Sequence, residues 1–120
     1  MRYEQIEPVS RAVAESAAVS KIAADLVRIL IAVGLYEVDA GWAAEFCCRF
    51  ARHSDALVRG GALLGIAHLA RRFRSLDRSR IQPLLEASLA DEDAWVRGQA
   101  ESALQDIEAF LGWQAIRPNP

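Results

Sequence analysis

An Asp-x-x-Val-Arg-Gly-x-Ala block occurs twice in this sequence, and it constrains the fold more than any other feature. The first copy begins at Asp55 and the second at Asp93, 38 residues later. Each copy opens a segment whose apolar residues recur with the period of an α-helix. Self-similarity at a period of this length is typical of stacked helical hairpins, which usually act by offering a surface to a partner. The repeat therefore predicts an all-α fold and a binding function.

Turn and capping residues predict where the helices begin and end. Asp39 and Asp55 each precede an apolar-periodic segment, where a short carboxylate side chain can accept hydrogen bonds from the first N–H groups of a helix, and another helix is expected to start after Asp77. A turn at residues 91–93 precedes the last helix, and Gly112 is predicted to end it.

The N-terminal segment is a weaker copy of the repeat. Ile6-Glu7-Pro8-Val9 resembles Ile81-Gln82-Pro83-Leu84, and proline fits the first turn of a helix because its missing N–H needs no partner there. A further helix is predicted over about 19–35, without the capping Asp or the Val-Arg pair. Such divergence is expected of a terminal repeat, which has a neighbour on one side only.

These patterns predict a single domain over residues 1–113 that folds as a short right-handed α-solenoid of about three helical hairpins. We place the repeats at about 3–36, 39–73 and 77–112. Residues 114–120 are predicted to form a flexible tail, because Pro118 and Pro120 cannot continue a helix.

The faces of the two matching helices differ in polarity. The helix after Asp55 is apolar almost all round, as expected of a helix with neighbours on two sides. Its interior glycines, at 60, 61 and 65, lower helix propensity by about 1 kcal/mol each, so we expect another helix to pack closely against the bare backbone. No strand precedes these glycines and no Gly-Lys-Ser follows, which argues against a phosphate-binding loop. The last helix is polar at the outer positions: Gln99, Glu101, Ser102, Gln105 and Asp106.

Composition limits the classes of protein to consider. The chain has 120 residues, 52% of them hydrophobic and 25% charged, which suffices for a core without metal or disulfide support. The first residues lack a signal-peptide pattern, and the longest apolar stretch, 26–35, is half the ~20 residues of a membrane-spanning helix. We therefore expect a soluble, cytoplasmic protein.

Cys47 and Cys48 are adjacent, which favours one buried and one flanking thiol over a disulfide or zinc site.

At the repeated block the chain resembles the HEAT-repeat family, whose second helix commonly begins Asp-x-x-Val-Arg. Residues 55–59 and 93–97 match that pattern, and the resemblance covers residues 41–112 well and the first 35 poorly. It implies hydrogen bonds between adjacent repeats, either from Arg97 to Asp55 or from Arg59 to Asp93. Armadillo-type and other helical-hairpin repeats remain alternatives.

The remaining polar motifs give little sign of catalysis. His53 and His68 are the only histidines and have no cysteine or carboxylate constellation around them, so we expect no catalytic residue, no metal and no small-molecule cofactor.

Arginines at 71, 72, 74, 78 and 80 are the best candidates for nucleic-acid contacts. The overall charge of −2 and the single lysine argue against that role, and arginines near a helix C-terminus also have a local explanation.

Charge is segregated along the chain. Residues 49–83 contain eight arginines and two aspartates, whereas residues 84–113 contain seven acidic residues and one arginine. The acidic part is either a solvated end of the array or a docking surface for a basic protein, and an aromatic residue within it favours docking. Our predicted protein-binding residues are Glu92, Trp95, Glu101, Gln105 and Glu108.

The predicted function is a non-enzymatic protein-binding module. The HEAT-like resemblance, the small size and the acidic C-terminal third favour an immunity protein that binds and neutralises a basic, nuclease-type toxin in a bacterial contact-dependent inhibition system. One alternative is an adaptor or regulatory subunit of a larger complex. Another is a HEAT-like lyase or nucleic-acid-binding protein, which would require a ligand pocket or a basic groove.

Overall fold

Six α-helices make up the regular structure of residues 6–114, the part of the chain that the computed structural model describes. The predicted all-α class is therefore confirmed for these residues. Residues 3–5 of the first predicted repeat and residues 115–120 of the predicted tail lie outside the described part. The helices are α1 (Arg11–Ala17), α2 (Ala23–Tyr36), α3 (Ala40–Phe50), α4 (Ala56–Phe73), α5 (Arg78–Leu89) and α6 (Ala94–Leu111).

Helix α4 occupies the centre of the packing. It contacts α2 on one side and α6 on the other, while α1, α3 and α5 each pack against the helix that follows them in the chain. The apolar positions shared by the two sequence blocks are fully buried: Val58 and Val96, Ala62 and Ala100, Leu69 and Ile107. Hairpin pairing thus agrees with the repeat, while the right-handed solenoid stays a prediction. No helix within residues 6–114 has the length and apolar character needed to cross a membrane.

Aspartate side chains cap four of the helices, including those after Asp39 and Asp55, where the sequence predicted caps. Asp39 accepts a hydrogen bond from the N–H of Trp42, and Asp55, Asp77 and Asp93 make equivalent bonds at the starts of α4, α5 and α6. These bonds satisfy N–H groups that have no partner within the helix. At the other end of α6, Gly112 adopts φ 72°, the left-handed conformation that glycine accommodates without strain.

The N-terminal predictions were wrong in detail. Pro8 lies in the irregular segment before α1, which begins after the capping residue Ser10. Its counterpart Pro83 lies well inside α5, past the first turn. Helix α2 begins at Ala23 and not near residue 19, because Ser20 accepts a hydrogen bond from the N–H of Ile22 and holds residues 20–22 in a non-helical turn.

Glycines allow α4 to approach both of its neighbours closely, as the sequence predicted. A Cβ atom on Gly34 of α2 would lie 2.7 Å from the carbonyl oxygen of Gly65 and 2.8 Å from its Cα, so the two backbones touch there. On the other side of α4, a Cβ on Gly60 would lie 2.0 Å from the Trp95 ring of α6. Because these glycines have no side chain, the neighbouring backbone and the Trp95 ring can occupy the space beside them.

Alanine substitutions at two helical glycines should have opposite effects on stability. In Gly34→Ala the new methyl group would collide with the backbone of Gly65, so we expect a loss of about 1–3 kcal/mol in the free energy of unfolding. In Gly98→Ala the methyl group would meet nothing within 4 Å, and replacing an interior helical glycine should add about 0.5–1 kcal/mol. Urea unfolding followed by circular dichroism measures both, and a loss of equal size at both positions would contradict this packing.

Candidate protein-binding surface

Three of the seven acidic residues in the C-terminal third serve the fold itself. Asp91 receives two hydrogen bonds from Arg59, with Nε–Oδ2 and Nη2–Oδ1 distances of 2.9 and 3.0 Å. Asp93 caps α6, and Asp106 lies 3.6 Å from Arg71 of α4. The pKa of Asp91 is lowered, chiefly by its hydrogen bonds from Arg59. The acidity of this third is therefore only partly a property of the free surface.

The bonds between hairpins that the HEAT resemblance implied are wrong in their partners. Arg59 bonds to Asp91 and not to Asp93, whose Oδ1 accepts the N–H groups of Trp95 and Val96. Arg97 donates to the carbonyl oxygens of Asp91 and Glu92, at 2.7 and 3.1 Å, and not to Asp55.

The turns before α4 and α6 nevertheless share one local design. Arg59 donates to the carbonyl oxygens of His53 and Ser54 just as Arg97 does to those of Asp91 and Glu92. His53 Nδ1 accepts the N–H of Asp55 at 3.0 Å, and Asp91 Oδ1 accepts the N–H of Asp93 at 2.9 Å. His53 and Asp91 thus occupy equivalent positions, but only the carboxylate can also bind an arginine of the neighbouring hairpin.

The five predicted binding residues do not form one continuous face. Glu92 is exposed in the turn before α6, and Trp95 stands at the second position of that helix. At about 100° per residue, Glu101 and Glu108 lie about 120° and 140° around the helix axis from Trp95. Glu101 and Glu108 are half-buried and Gln105 is exposed. The structure therefore places Glu92 and Trp95 near one end of α6, and the other three residues on a different side of it.

A groove beside Trp95 joins the three helices α2, α4 and α6. Its volume is about 360 Å³. Leu57 and Trp95 in its wall remain 53% and 40% exposed. The sequence indicated this groove only through the leucines of α4 that lie outside its main apolar stripe. From the sequence alone, these leucines were expected to contact neighbouring helices. The lining residues include Val27, Ile31, Leu57, Leu64, Trp95 and Gln99.

The arginine-rich segment at the end of α4 is engaged in contacts within the molecule. Arg72 donates to the carbonyl oxygens of Gly34 and Glu37 at the end of α2, at 2.7 and 2.8 Å. The other arginines have partners as well: Arg71 pairs with Asp106, Arg74 lies over Phe110, Arg78 over Trp113, and Arg80 pairs with Glu45. These contacts account for the local surplus of arginine without a nucleic acid.

The titratable groups inside the fold are held in their neutral forms. His68 is only 4% exposed, and its pKa is lowered to about 4 by burial and by the neighbouring positive charges of Arg71 and Arg72. Its Nδ1 atom faces Arg71, which also pairs with Asp106 of α6. Cys47 is buried and Cys48 half-buried, as predicted, and burial raises the pKa of both thiols. Among the described residues, no three His, Cys, Asp or Glu side chains are grouped as metal ligands.

Comparison with known proteins gives one informative likeness. No protein-family model matches the chain, and no curated protein matches it. Its structure is similar to a chain in the crystal structure of a CDI complex from Cupriavidus taiwanensis LMG 19424. The TM-score is 0.76 at 27% sequence identity, over 92% of this chain and 97% of that one. The two chains therefore share a fold over almost their whole lengths, while membership of the HEAT-repeat family stays a prediction.

Neutralising Asp91 should destabilise the protein more than neutralising Asp106. Asp91→Asn removes the charge that Arg59 binds while its side-chain oxygen can still accept the N–H of Asp93. Side chains in that pair are only 13% and 14% exposed, so we expect a loss of about 1–2 kcal/mol in the free energy of unfolding. Asp106→Asn affects a longer and more exposed pair, and its loss should stay below about 1 kcal/mol. Chemical denaturation at neutral pH tests this order, and a larger loss for Asp106→Asn would contradict it.

His68 should make the protein less stable in mild acid. Its folded-state pKa, about 4, lies below the ordinary value of 6.5, so the unfolded chain binds a proton first as the pH falls. The stabilisation is fully present above pH 6.5 and is lost as the pH falls towards 4. We expect the free energy of unfolding to drop by about 2 kcal/mol between pH 6.5 and 4.5. His68→Gln removes this titration, so its curve over the same window should be flatter; identical slopes would refute the assignment.

Proposed function

We propose that this chain is an immunity-type protein of a contact-dependent inhibition system, and that it acts by binding a toxin domain and blocking it. The observation that carries the proposal is the similarity to a chain of a CDI complex, which extends over 92% of this chain and 97% of the other.

The chemistry of the interior supports action by binding and not by catalysis. The cysteine pKa values are raised, so the thiols are protonated at neutral pH and are poor nucleophiles. The imidazole of His68 is buried against arginines of its own helix and is neutral. By contrast, large apolar side chains are exposed at Leu57 and Trp95, as expected of a surface that a protein partner covers.

The proposed partner is a basic toxin domain of the nuclease type, met in the cytoplasm. Support comes from the acidic side chains of the C-terminal third that are exposed, Glu86 and Glu92. A negatively charged surface would attract the basic active-site region of the toxin and, once bound, would cover that region. A HEAT-like solenoid of three hairpins is the architecture we propose for presenting that surface.

Co-expression with the product of the gene immediately upstream tests the proposal. We expect the toxin domain alone to arrest growth, and co-expression of this chain to restore growth and yield a stable complex on size-exclusion chromatography. Gly34→Ala, whose packing is disturbed, controls for loss of folded protein, and a toxin domain from an unrelated system controls for specificity. A folded chain that neither binds the upstream product nor protects the cells would refute the proposed function.

A further inference from the structure

The two exposed apolar side chains of the groove stand at matching positions on neighbouring helices. Leu57 is the second residue of α4 and Trp95 the second residue of α6, each two residues after a capping aspartate. Both line the same groove, so the N-terminal ends of the two helices lie side by side. The groove is open to solvent at this end, where Leu57 and Trp95 are 53% and 40% exposed.

Trp95 is held in place before any partner arrives. The ring lies so close to Gly60 that a Cβ atom there would be 2.0 Å from Cζ3, and only glycine leaves room for it. The start of α6 is fixed in turn by the bonds of Asp93 to the N–H groups of Trp95 and Val96, at 2.9 and 3.0 Å. An aromatic anchor that is already ordered loses little conformational freedom on binding.

Trp95 also differs from the other two tryptophans in its surroundings. The Arg11 guanidinium lies over the Trp42 ring at 5.2 Å, and the Arg78 guanidinium over the Trp113 ring at 5.3 Å. Within residues 6–114 no arginine of the chain lies over Trp95. Its indole is therefore a partly exposed aromatic surface on which a cation from another molecule can lie.

Carboxylates surround this end of the groove. Glu92 is exposed three residues before Trp95, and Asp55 and Asp93 cap the helices that carry Leu57 and Trp95. The nearby positive charge of Arg97 is directed at the carbonyl oxygens of Asp91 and Glu92. Around the start of α6, the carboxylates of Asp91, Glu92 and Asp93 outnumber the guanidinium groups of Arg59 and Arg97 by one, which leaves a negative surface beside an apolar groove that complements a basic segment.

We infer that this surface, made of Leu57, Trp95, Glu92 and Asp93, binds a protein segment in which an apolar side chain adjoins an arginine or lysine. The apolar side chain enters the groove against Leu57, and the cation lies on the Trp95 ring within reach of Glu92. The inference rests on the proposed function, because the segment belongs to the toxin domain. It places the contact at the start of α6 and away from Glu101 and Glu108.

Paired variants of exposed residues test the surface on the complex with the upstream toxin domain. Leu57→Lys and Glu92→Arg should each weaken binding at least about 10-fold in calorimetry, because the first places a charge in the groove and the second repels the partner's cation. Val38→Lys and Glu7→Arg are matched controls elsewhere on the surface, also exposed, and should stay within about 2-fold of the parent. Unchanged melting temperatures in all four variants confirm that folding is not the cause.

Two results would overturn the inference while leaving the proposed function intact. One is undiminished toxin binding by Leu57→Lys and Glu92→Arg, with loss of binding in Glu101→Lys and Glu108→Lys. The other is a dimer of the parent chain that Leu57→Lys turns into a monomer, since the surface would then join two copies of this chain.

A second probe separates this inference from the failure of the proposed function. Acetyl-Arg-Leu-Arg-amide, added to the ¹⁵N-labelled protein, should shift the indole N–H resonance of Trp95 more than those of Trp42 and Trp113. The shift should be strongly reduced in Glu92→Arg. If the toxin domain does not bind but the peptide gives this pattern, the proposed function fails and the surface chemistry stands. If the peptide shifts all three resonances alike, or none, the surface chemistry fails.

Discussion

The contact between the backbones of Gly34 and Gly65 sets the arrangement of the other helices. It brings α2 and α4 closer than side chains would permit, and α4 in turn carries α3 on its flank and α6 on its far side. Gly60 likewise leaves room for the Trp95 ring, so α4 contacts the backbone of α2 on one side and the indole of Trp95 on the other. The cost in helix propensity of three glycines in α4 is offset by the packing that they admit. Because α4 is the only helix in contact with both α2 and α6 along its length, its small residues determine how all the described hairpins meet.

The parts of the fold that could be predicted from the sequence are those in which one residue acts on its own neighbours. An aspartate at a helix start and a glycine at a helix end are local signals, and the caps at Asp39, Asp55 and Gly112 were predicted correctly. Burial of the shared apolar positions followed from their period alone. The start of α2 was missed because no capping aspartate marks it, and a serine turn delays the helix.

The candidate site depended on relations that a linear pattern does not contain. Which aspartate binds Arg59 depends on the conformation of the turn before α6, in which Asp91 binds the guanidinium and Asp93 caps the helix. The groove requires residues from three helices to meet, so the exposed leucine at 57 had no visible partner in the sequence. Likewise, the charge asymmetry was real, but the arginines were largely paired within the molecule once the helices were in place. Glu92 and Trp95 could be named in advance because an exposed acid and an aromatic near a turn are local features.

The position shared by His53 and Asp91 gives the two joints of the molecule different chemistries. Between α2 and α4, the closest contact is between the backbones of two glycines, and its strength does not depend on pH or ionic strength. Between α4 and α6, several contacts involve groups that titrate or are screened by salt: Arg59 with Asp91, and Arg71 with both His68 and Asp106. Acid protonates His68 and Asp91 at the same joint, and salt weakens the more exposed of its ion pairs. The joint between α4 and α6 therefore depends on pH and salt in a way that the Gly34–Gly65 contact does not.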